Sequence, residues 1–414
     1  MVPQSKEKKV FKNPMSISQH FTGLAAKRLM AGELDHNISN QHEFNGVNGL
    51  KEILGDDAGK TIQFPTSFIY LGNDESSSCQ QDSSVSWYDS RRNHPTRSEY
   101  RLYYQANNEV IERGRAGDLI VFARKIDGSL LAIITEAGST SENQVCLLFG
   151  LSECGNTFVV KKCPDPTELG FAGIFILDQI GVDPFLVANE RIAQLVRRFG
   201  NKFPLAKEFS EFARASFPLV TSVADPDKTI LAWMEREELF FRAFERHFFK
   251  TLADTSHIHD FDKFMALSLS FHNRRKARAG QAFENHLEAI FTVNGLTVSR
   301  SQATEGRSKP DFLFPSVENY RDPAFPAERL TLLAAKTSCK DRWRQVLSEG
   351  LRIARKHLVT LEPAISVAQT AEMERNQVQL VMPLALHSTF NSQQRTHMMT
   401  VKDFIKMVHD KNIK

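Results

Sequence analysis

The sequence lacks any apolar run long enough to cross a bilayer, since a membrane-spanning helix needs about 18 or more apolar residues. Its N-terminus also lacks the apolar core of a signal peptide, and its first residues are polar and rich in lysine. We therefore expect a disordered tail over residues 1–15 and a cytoplasmic protein with no membrane partner.

Cysteine and net charge are scarce as well. The chain has five cysteines, an odd number, and no two of them have Cys-x-x-Cys spacing. This argues against structural zinc and against a disulfide framework, and it suits a reducing compartment. The net charge is only +3, so any surface that binds nucleic acid must be a local one.

What is present is the composition of an ordinary globular protein, with 41% hydrophobic and 24% charged residues. A chain of 414 residues is long enough for two domains. We expect a first domain over residues 16–180, a linker over 181–205 and a second domain over 206–414.

The first half of the sequence is strand-like. Short apolar runs between residues 62 and 158 are separated by Gly, Asn, Asp and Ser, and Asp127-Gly128 between two of them is a hairpin signal. This pattern predicts a β barrel or sandwich. The polar residues 31–49, which include His42, are expected to form a surface loop.

One stretch of this β region, residues 87–101, carries four arginines among aromatic residues. Arginine can donate to guanine edges, and glutamate can accept from cytosine. The candidates for such contacts are Arg91, Arg97, Glu99 and Arg101. Many surface loops are equally rich in arginine, so a plain loop remains the alternative.

Amphipathic helices are predicted in the second half, over residues 189–199, 230–252 and 279–294. Glu284 lies on the shoulder of the apolar stripe of the third helix. It can be an ordinary polar residue at the boundary of the core, or it can point into a cleft.

A compact basic patch, residues 273–278, comes just before that helix and suits phosphate groups. Its candidate contacts are Arg274, Arg275 and Lys276.

Two short apolar runs, residues 312–314 and 330–335, read as buried strands. Asp311 stands at the start of the first strand and Lys336 at the end of the second. If the strands pair, the two side chains meet at one sheet edge, where a carboxylate can hold a divalent cation and an ammonium can bind phosphate. The alternative is that Asp311 only starts a strand and Lys336 is a solvated strand end.

The residues after Lys336 predict a helix. Ser338-Cys339-Lys340-Asp341 has the form of a capping box, and the helix is expected to continue to about His357. Glu349, thirteen residues after Lys336, would lie on this helix and return a carboxylate towards the strand end.

The arrangement of Pro310, Asp311 and Lys336 resembles the PD-(D/E)xK nucleases, with the second acidic residue displaced to Glu349. Residues 336–345 resemble the EcoRII branch of type II restriction endonucleases, as do residues 273–280, 304–306 and 309–316. The likeness is dense from about residue 260 to 365.

For the second domain, the resemblance implies a restriction-endonuclease-like α/β/α core that cuts DNA with Mg²⁺ as cofactor. Glu284, Asp311, Lys336 and Glu349 would be catalytic, with Asp311 and Glu349 as metal ligands. The residues implied to bind DNA here are Lys340, Asp341, Arg342 and Arg344. Capping and base reading by Lys340 and Asp341 can coexist.

For the first domain, the resemblance is more distant and implies a pseudobarrel of the plant B-three type, so that the whole chain is of the α+β class. Its two DNA-holding arms would map onto Arg97, Glu99 and Arg101, and onto the loop around His42.

The resemblance also implies the partners and the specificity. The partners would be double-stranded DNA at a short C/G-flanked, CCWGG-like target, a second copy of the site as effector, and a second copy of the chain. The alternatives are a non-catalytic DNA-binding regulator and a DNA-repair nuclease.

Overall fold

The computed structural model divides into two compact units, Met1–Leu186 and Val187–Lys414. The residues that the structure describes are 17–34, 42–45, 48–56, 60–72, 78–162, 173, 177, 189–200, 202–216, 223–254, 261–305, 308–339, 342–363 and 365–413. In this part of the chain, no helix combines the length and the apolar character that crossing a membrane requires.

The first unit is built on an eight-stranded sheet in the order β2-β5-β4-β3-β7-β6-β1-β8. Its strands are β1 (Phe21–Arg28), β2 (Glu43–Asn45), β3 (Ile62–Leu71), β4 (Cys79–Asp89), β5 (Tyr100–Tyr104), β6 (Leu119–Lys125), β7 (Leu130–Thr135) and β8 (Val159–Lys162). Its helices are α1 (Ala31–Leu34), α2 (Lys51–Leu54), α3 (Glu109–Arg113) and α4 (Thr140–Phe149), with 3-10 turns at Ile17–Gln19 and Asn48–Leu50. All neighbouring strands are antiparallel except β3 and β7.

The core of this unit is aromatic. Phe44, Phe68 and Trp87 are 0% exposed, and the sheet curls around them. The predicted hairpin is confirmed: Gly128, at φ 87°, turns the chain between β6 and β7, and only glycine adopts such a φ without strain.

The expectation of a plain surface loop over residues 31–49 is wrong in part. Residues 43–45 form strand β2, which pairs with β5 and places Phe44 in the core. A three-residue strand is too short to show alternation, so its polar neighbours conceal it.

The second unit combines helices with a five-stranded sheet. The helices are α5 (Asn189–Phe199), α6 (Ala206–Ala215), α7 (Pro226–Asp254), α8 (Phe261–Val293), α9 (Val317–Arg321), α10 (Val367–Arg375), α11 (Ser392–Arg395) and α12 (Val401–Ile413), with 3-10 helices at Ala327–Arg329, Arg342–Ser348 and Leu384–Thr389. The α5 helix lies within residues 181–205 and packs on this unit: Leu195 is buried, and the ring of Phe199 contacts Phe209 and Phe244.

The sheet has the order β13-β12-β11-β10-β9. Its strands are β9 (Ser299–Arg300), β10 (Phe312–Phe314), β11 (Thr331–Lys336), β12 (Lys356–Thr360) and β13 (Val378–Val381). β10 is antiparallel to both of its neighbours, β9 and β11, whereas β11, β12 and β13 run parallel to one another. A curled β unit followed by a unit of helices around a mixed sheet confirms the predicted α+β class.

The predicted helix from Ser338 to His357 is wrong. A 3-10 helix spans only Arg342–Ser348, and β12 already begins at Lys356. Gly350 has φ 55°, and a Cβ there would lie 2.7 Å from Leu332 Cδ1, so the backbone cannot continue as a helix at this point. The apolar residues that follow form strand β12 instead, which pairs in parallel with β11.

Candidate functional site

Asp311 and Lys336 meet at the edge of the sheet in the second unit. Asp311 immediately precedes β10, Lys336 ends β11, and Phe312 is in register with Leu333. One oxygen of Asp311, Oδ2, accepts from the backbone N–H of Ala335 and from Lys336 Nζ, both at 2.8 Å. The structure therefore brings together the two side chains that the sequence places at paired strand ends.

Glu284 and Glu349 each interact electrostatically with both Asp311 and Lys336. Burial raises the pKa of Glu284, and the nearby Asp311 charge adds to the rise. Burial and then Asp311 raise the pKa of Glu349 to about 7, although Lys336 and Lys356 act in the opposite direction. All four predicted catalytic side chains thus share one electrostatic environment.

Arg300 on the edge strand β9 fixes Glu284. Its Nη2 and Nε lie 3.0 and 3.2 Å from Glu284 Oε2, and its Nη1 donates to Asn285 Oδ1 at 2.7 Å and to Glu288 Oε2 at 2.9 Å. Sequence reasoning missed this residue, because nothing in the local pattern around Arg300 points to a partner sixteen positions earlier.

Lys356 fixes the turn that carries Glu349. The Lys356 side chain is 5% exposed, and its Nζ donates to the carbonyls of Gly350 and Ile353, both at 2.6 Å. Glu305 holds the same turn by accepting from the backbone N–H of Leu351 at 3.1 Å. A signal for Lys356 exists in the sequence, since a charged residue heads an apolar run, but the predicted helix concealed it.

The donor set fits a divalent cation. Asp311 and Glu349 offer carboxylate oxygens, and Glu349 Oε2 is buried without a hydrogen-bond partner among the described residues. In the described part of the chain, no three His, Cys, Asp or Glu side chains group closely enough to enclose a metal by themselves. An open set of two carboxylates leaves coordination positions for water and phosphate, as is usual for Mg²⁺.

The segment that is expected to read bases begins just beyond this group. Lys340 and Asp341 lie outside the described residues. Arg342 is exposed, and Arg344 forms an exposed ion pair with Glu372 at 2.8 Å. Trp343, between the two arginines, is fully buried and anchors the 3-10 helix.

The basic patch at residues 273–278 is engaged with the helical layer. The guanidinium of Arg274 lies over the ring of Phe203 at 4.1 Å, and Arg275 pairs with Glu245 at 2.5 Å. Arg278, which was not among the candidate contacts, is buried against Glu237. The side chain of Lys276 lies outside the described residues.

In the first unit, ion pairs connect three of the predicted arm residues, Arg91, Glu99 and Arg101. Glu99 accepts from both Arg91 and Arg101, and Arg101 also lies 3.5 Å from Glu43 on the neighbouring strand β2. Arg97 is exposed. His42 packs edge-on against the rings of Tyr103 and Tyr104.

Asp89 organises this arm. Its Oδ1 accepts from the backbone N–H of Arg91 at 2.9 Å and of Glu99 at 2.7 Å. Burial alone would raise the pKa of Asp89, but these hydrogen bonds and one from Ser98 outweigh burial and lower it. Sequence reasoning did not single out Asp89, although an aspartate at a strand end before a polar loop is a known turn signal.

The chain matches the family model described as EcoRII C terminal over residues 241–405. It is 32% identical over 386 residues to the type II restriction enzyme EcoRII of Escherichia coli, and the match covers 92% of each chain.

Two solved structures are also similar. Metal-depleted Ecl18kI in complex with uncleaved, modified DNA has 20% identity and a TM-score of 0.45, over 54% of this chain and 83% of that one. The complex of restriction endonuclease PspGI with substrate DNA has 15% identity and a TM-score of 0.43, over 50% of this chain and 93% of that one.

Identity above 30% over nearly the full length of both chains confirms the resemblance that residues 273–345 carry. The chain belongs to the EcoRII family of type II restriction enzymes, which are sequence-specific deoxyribonucleases.

Proposed function

We propose that this chain makes Mg²⁺-dependent double-strand cuts in DNA at a short C/G-flanked site. The observation that carries the proposal is the contact of Asp311 with Lys336 at a sheet edge that Glu284 and Glu349 share electrostatically. Neither of the alternatives, a non-catalytic regulator and a repair nuclease, is favoured.

Asp311 and Glu349 would hold the metal. Type II restriction endonucleases generally use divalent metal ions, and Mg²⁺ suits an open site with two carboxylates. When bound there, the ion would lower the pKa of a coordinated water and stabilise the leaving oxygen.

Lys336 would position the attacking water and offset the charge of the phosphate. Its Nζ is held at 2.8 Å from Asp311, beside the carboxylate that is proposed to hold the metal, where an ammonium could stabilise the charge of a bound phosphate. Arg300 keeps Glu284 in the same group by its two short contacts to Oε2.

Sequence would be read by the residues that follow Lys336. Arg342 is exposed and can donate to guanine O6 and N7 in the major groove. Lys340, Asp341 and Arg344 are proposed to take part, as base or phosphate contacts.

The first unit would bind a second copy of the site. Its exposed Arg97 and the cluster of Arg91, Glu99 and Arg101 supply donors and acceptors of the kind that read base edges. Effector DNA would favour a conformation in which the nuclease unit is free to act. Because one active site can cut one strand, we expect a homodimer.

Digestion of a plasmid of known methylation, followed by sequencing of the cut ends, tests the main proposal. We expect cuts in both strands at one short sequence with G·C pairs at fixed positions, and none without divalent metal. Random ends, or cutting in the presence of a chelator, would refute it.

A comparison of the fragment Val187–Lys414 with the whole chain tests autoinhibition. The fragment keeps α5, whose buried Leu195 belongs to the second unit. On a plasmid with a single site, the fragment should cut faster, and only the whole chain should respond to added site-bearing duplex. Equal rates and no response would reduce the first unit to a tether.

A further inference from the structure

Glu362 is a buried carboxylate beside the catalytic edge that no role described above uses. It lies two residues beyond the end of β12, and β12 pairs in parallel with β11 so that Lys336 is in register with Thr360. The same register carries Glu362 next to the segment that leaves β11. The side chain is 1% exposed.

The donors to Glu362 come from two consecutive residues of that segment. Oε2 accepts from the backbone N–H of Cys339 at 2.6 Å and from the Ser338 hydroxyl at 3.3 Å. The Cys339 thiol is fully buried and also hydrogen-bonds to Glu362. A carboxylate loses its hydration at such a position, so it is stable there only because donors converge on it.

Cys339, which Glu362 holds, in turn contacts the backbone of Arg342. The Cys339 carbonyl accepts from the backbone N–H of Arg342 at 2.8 Å and from that of Trp343 at 3.3 Å, which begins the 3-10 helix. Trp343 is 0% exposed, whereas Arg342 is exposed. The backbone of Arg342 is therefore held on one side by Cys339 and on the other by a buried indole.

We propose that Glu362 is a positioning residue for sequence discrimination, which holds Cys339, and through the Cys339 carbonyl the backbone of Arg342, so that the Arg342 guanidinium meets a guanine edge. A bidentate contact depends on the orientation of both N–H groups, so a backbone that is free to shift loses discrimination before it loses binding. The inference rests on the proposed function, since it assumes that Arg342 reads a base.

The readout must separate positioning from a general structural role. A loss of folded protein, or a disturbed Lys336, slows cleavage of every duplex by the same factor. A displaced Arg342 changes the ratio between the cognate duplex and a duplex with one G·C pair replaced. The ratio of single-turnover cleavage rates on these two duplexes is therefore the quantity to measure.

The experiment uses the full chain and starts from the site that end sequencing defines. Glu362→Gln has the same shape as glutamate but carries no charge, and Ser338→Ala removes one donor while leaving the carboxylate in place. Glu374→Gln is the matched control, because it releases His397 from an exposed ion pair on α10, and neither residue is proposed to contact DNA. Arg342→Ala and the double variant Arg342→Ala/Glu362→Gln complete a cycle.

We expect Glu362→Gln to lower the discrimination ratio about tenfold, which is within the range of one bidentate base contact. Ser338→Ala should lower it about twofold to fivefold, at the weak end of the same range. Glu374→Gln should not change it. The double variant should discriminate no worse than Arg342→Ala alone, because Glu362 acts only through Arg342.

An unchanged ratio in folded Glu362→Gln overturns the proposal, as does full additivity in the double variant. If Glu362→Gln does not fold, an unchanged ratio in Ser338→Ala overturns it. Failure of the proposed function is distinguishable, since the wild-type chain would then show no fixed G·C pairs or Arg342→Ala would leave the ratio unchanged.

Discussion

Asp311 and Lys336 of the second unit form an ion pair whose side chains are 15% and 20% exposed, whereas the paired Arg91 and Glu99 of the first unit are 45% and 33% exposed. Both regions are proposed to meet DNA with charged side chains. Their surroundings differ, and the difference separates a site for chemistry from a surface for recognition.

Partial burial changes what a charged group can do. Near Asp311, burial and the Asp311 charge raise the pKa values of two further carboxylates. Their negative charges repel one another, and a bound cation would reduce this repulsion. Exposed pairs such as Arg91 with Glu99 contribute only about 0–1 kcal/mol to stability. The paired side chains can therefore separate and bind bases or phosphates at a small cost in free energy.

Among variants that leave the proposed metal ligands in place, Lys336→Met should produce the largest effect, because it keeps the aliphatic stem and removes the only ammonium that contacts Asp311 among the described residues. We expect the single-turnover cleavage rate to fall about a hundredfold to a thousandfold or more, as for other lost stabilising donors at reacting centres. Binding to site-bearing duplex in calcium should change little. Lys356→Arg is a useful comparison, since it keeps the positive charge at a residue that contacts the Glu349 turn through the Gly350 carbonyl. Cutting within tenfold of wild type by Lys336→Met would remove Lys336 from the mechanism.

Arg342→Ala should have an intermediate effect and should act on specificity. A lost bidentate guanine contact corresponds to about 1–3 kcal/mol of discrimination. The check is the cleavage rate on the cognate duplex and on duplexes with single base-pair changes. Relaxation should appear at one G·C position only, and equal slowing on every duplex would contradict the assignment.

Arg97→Ala should leave the chemistry of the second unit untouched. Because Arg97 is exposed in the first unit, we expect activation by added duplex to require about tenfold more DNA, the equivalent of one weakened base or phosphate contact. The measurement is the cleavage rate on one-site plasmid against duplex concentration. If Arg97→Ala also lowers the cleavage rate in the absence of added duplex, Arg97 contributes to more than activation, which would contradict the proposed roles of the two units.

His357→Leu should have the smallest effect, visible only in acid. Burial lowers the pKa of His357 from 6.5 to about 3, so the unfolded chain binds a proton below pH 6.5 while the folded chain does not until about pH 3. Stability is therefore lost as the pH falls through that window, by about 2 kcal/mol at pH 5. Urea unfolding at pH 5 and pH 7 should show a smaller pH effect in His357→Leu than in wild type. His397→Gln, at an exposed histidine, should behave as wild type does, and an equal pH effect in all three would contradict the burial argument.

The same contrast explains how much the sequence could predict. Asp311 and Lys336 were predictable as neighbours, because each stands at the end of an apolar run and paired strands bring such ends together. The β region and its hairpin were predictable from short apolar runs separated by turn residues and from Asp127-Gly128. These signals are local, so one stretch of sequence contains them.

The side chains that hold the candidate site residues in place were not predictable from the sequence. Arg300 acts on Glu284, and Glu362 acts on Cys339, across gaps that no periodicity spans. The helix predicted through Glu349 failed because Gly350 needs a left-handed φ and because β12 pairs in parallel with β11, a contact that capping signals cannot report.

The most direct test of the central claim measures binding and cutting together in Asp311→Asn, with Arg97→Ala beside it. We expect Asp311→Asn to bind site-bearing duplex as wild type does and to produce no cut ends at any Mg²⁺ concentration, while Arg97→Ala still cuts. The loss of a catalytic group is expected to slow cleavage far more than tenfold. Cleavage by Asp311→Asn at more than about a tenth of the wild-type rate would therefore contradict a catalytic role for Asp311.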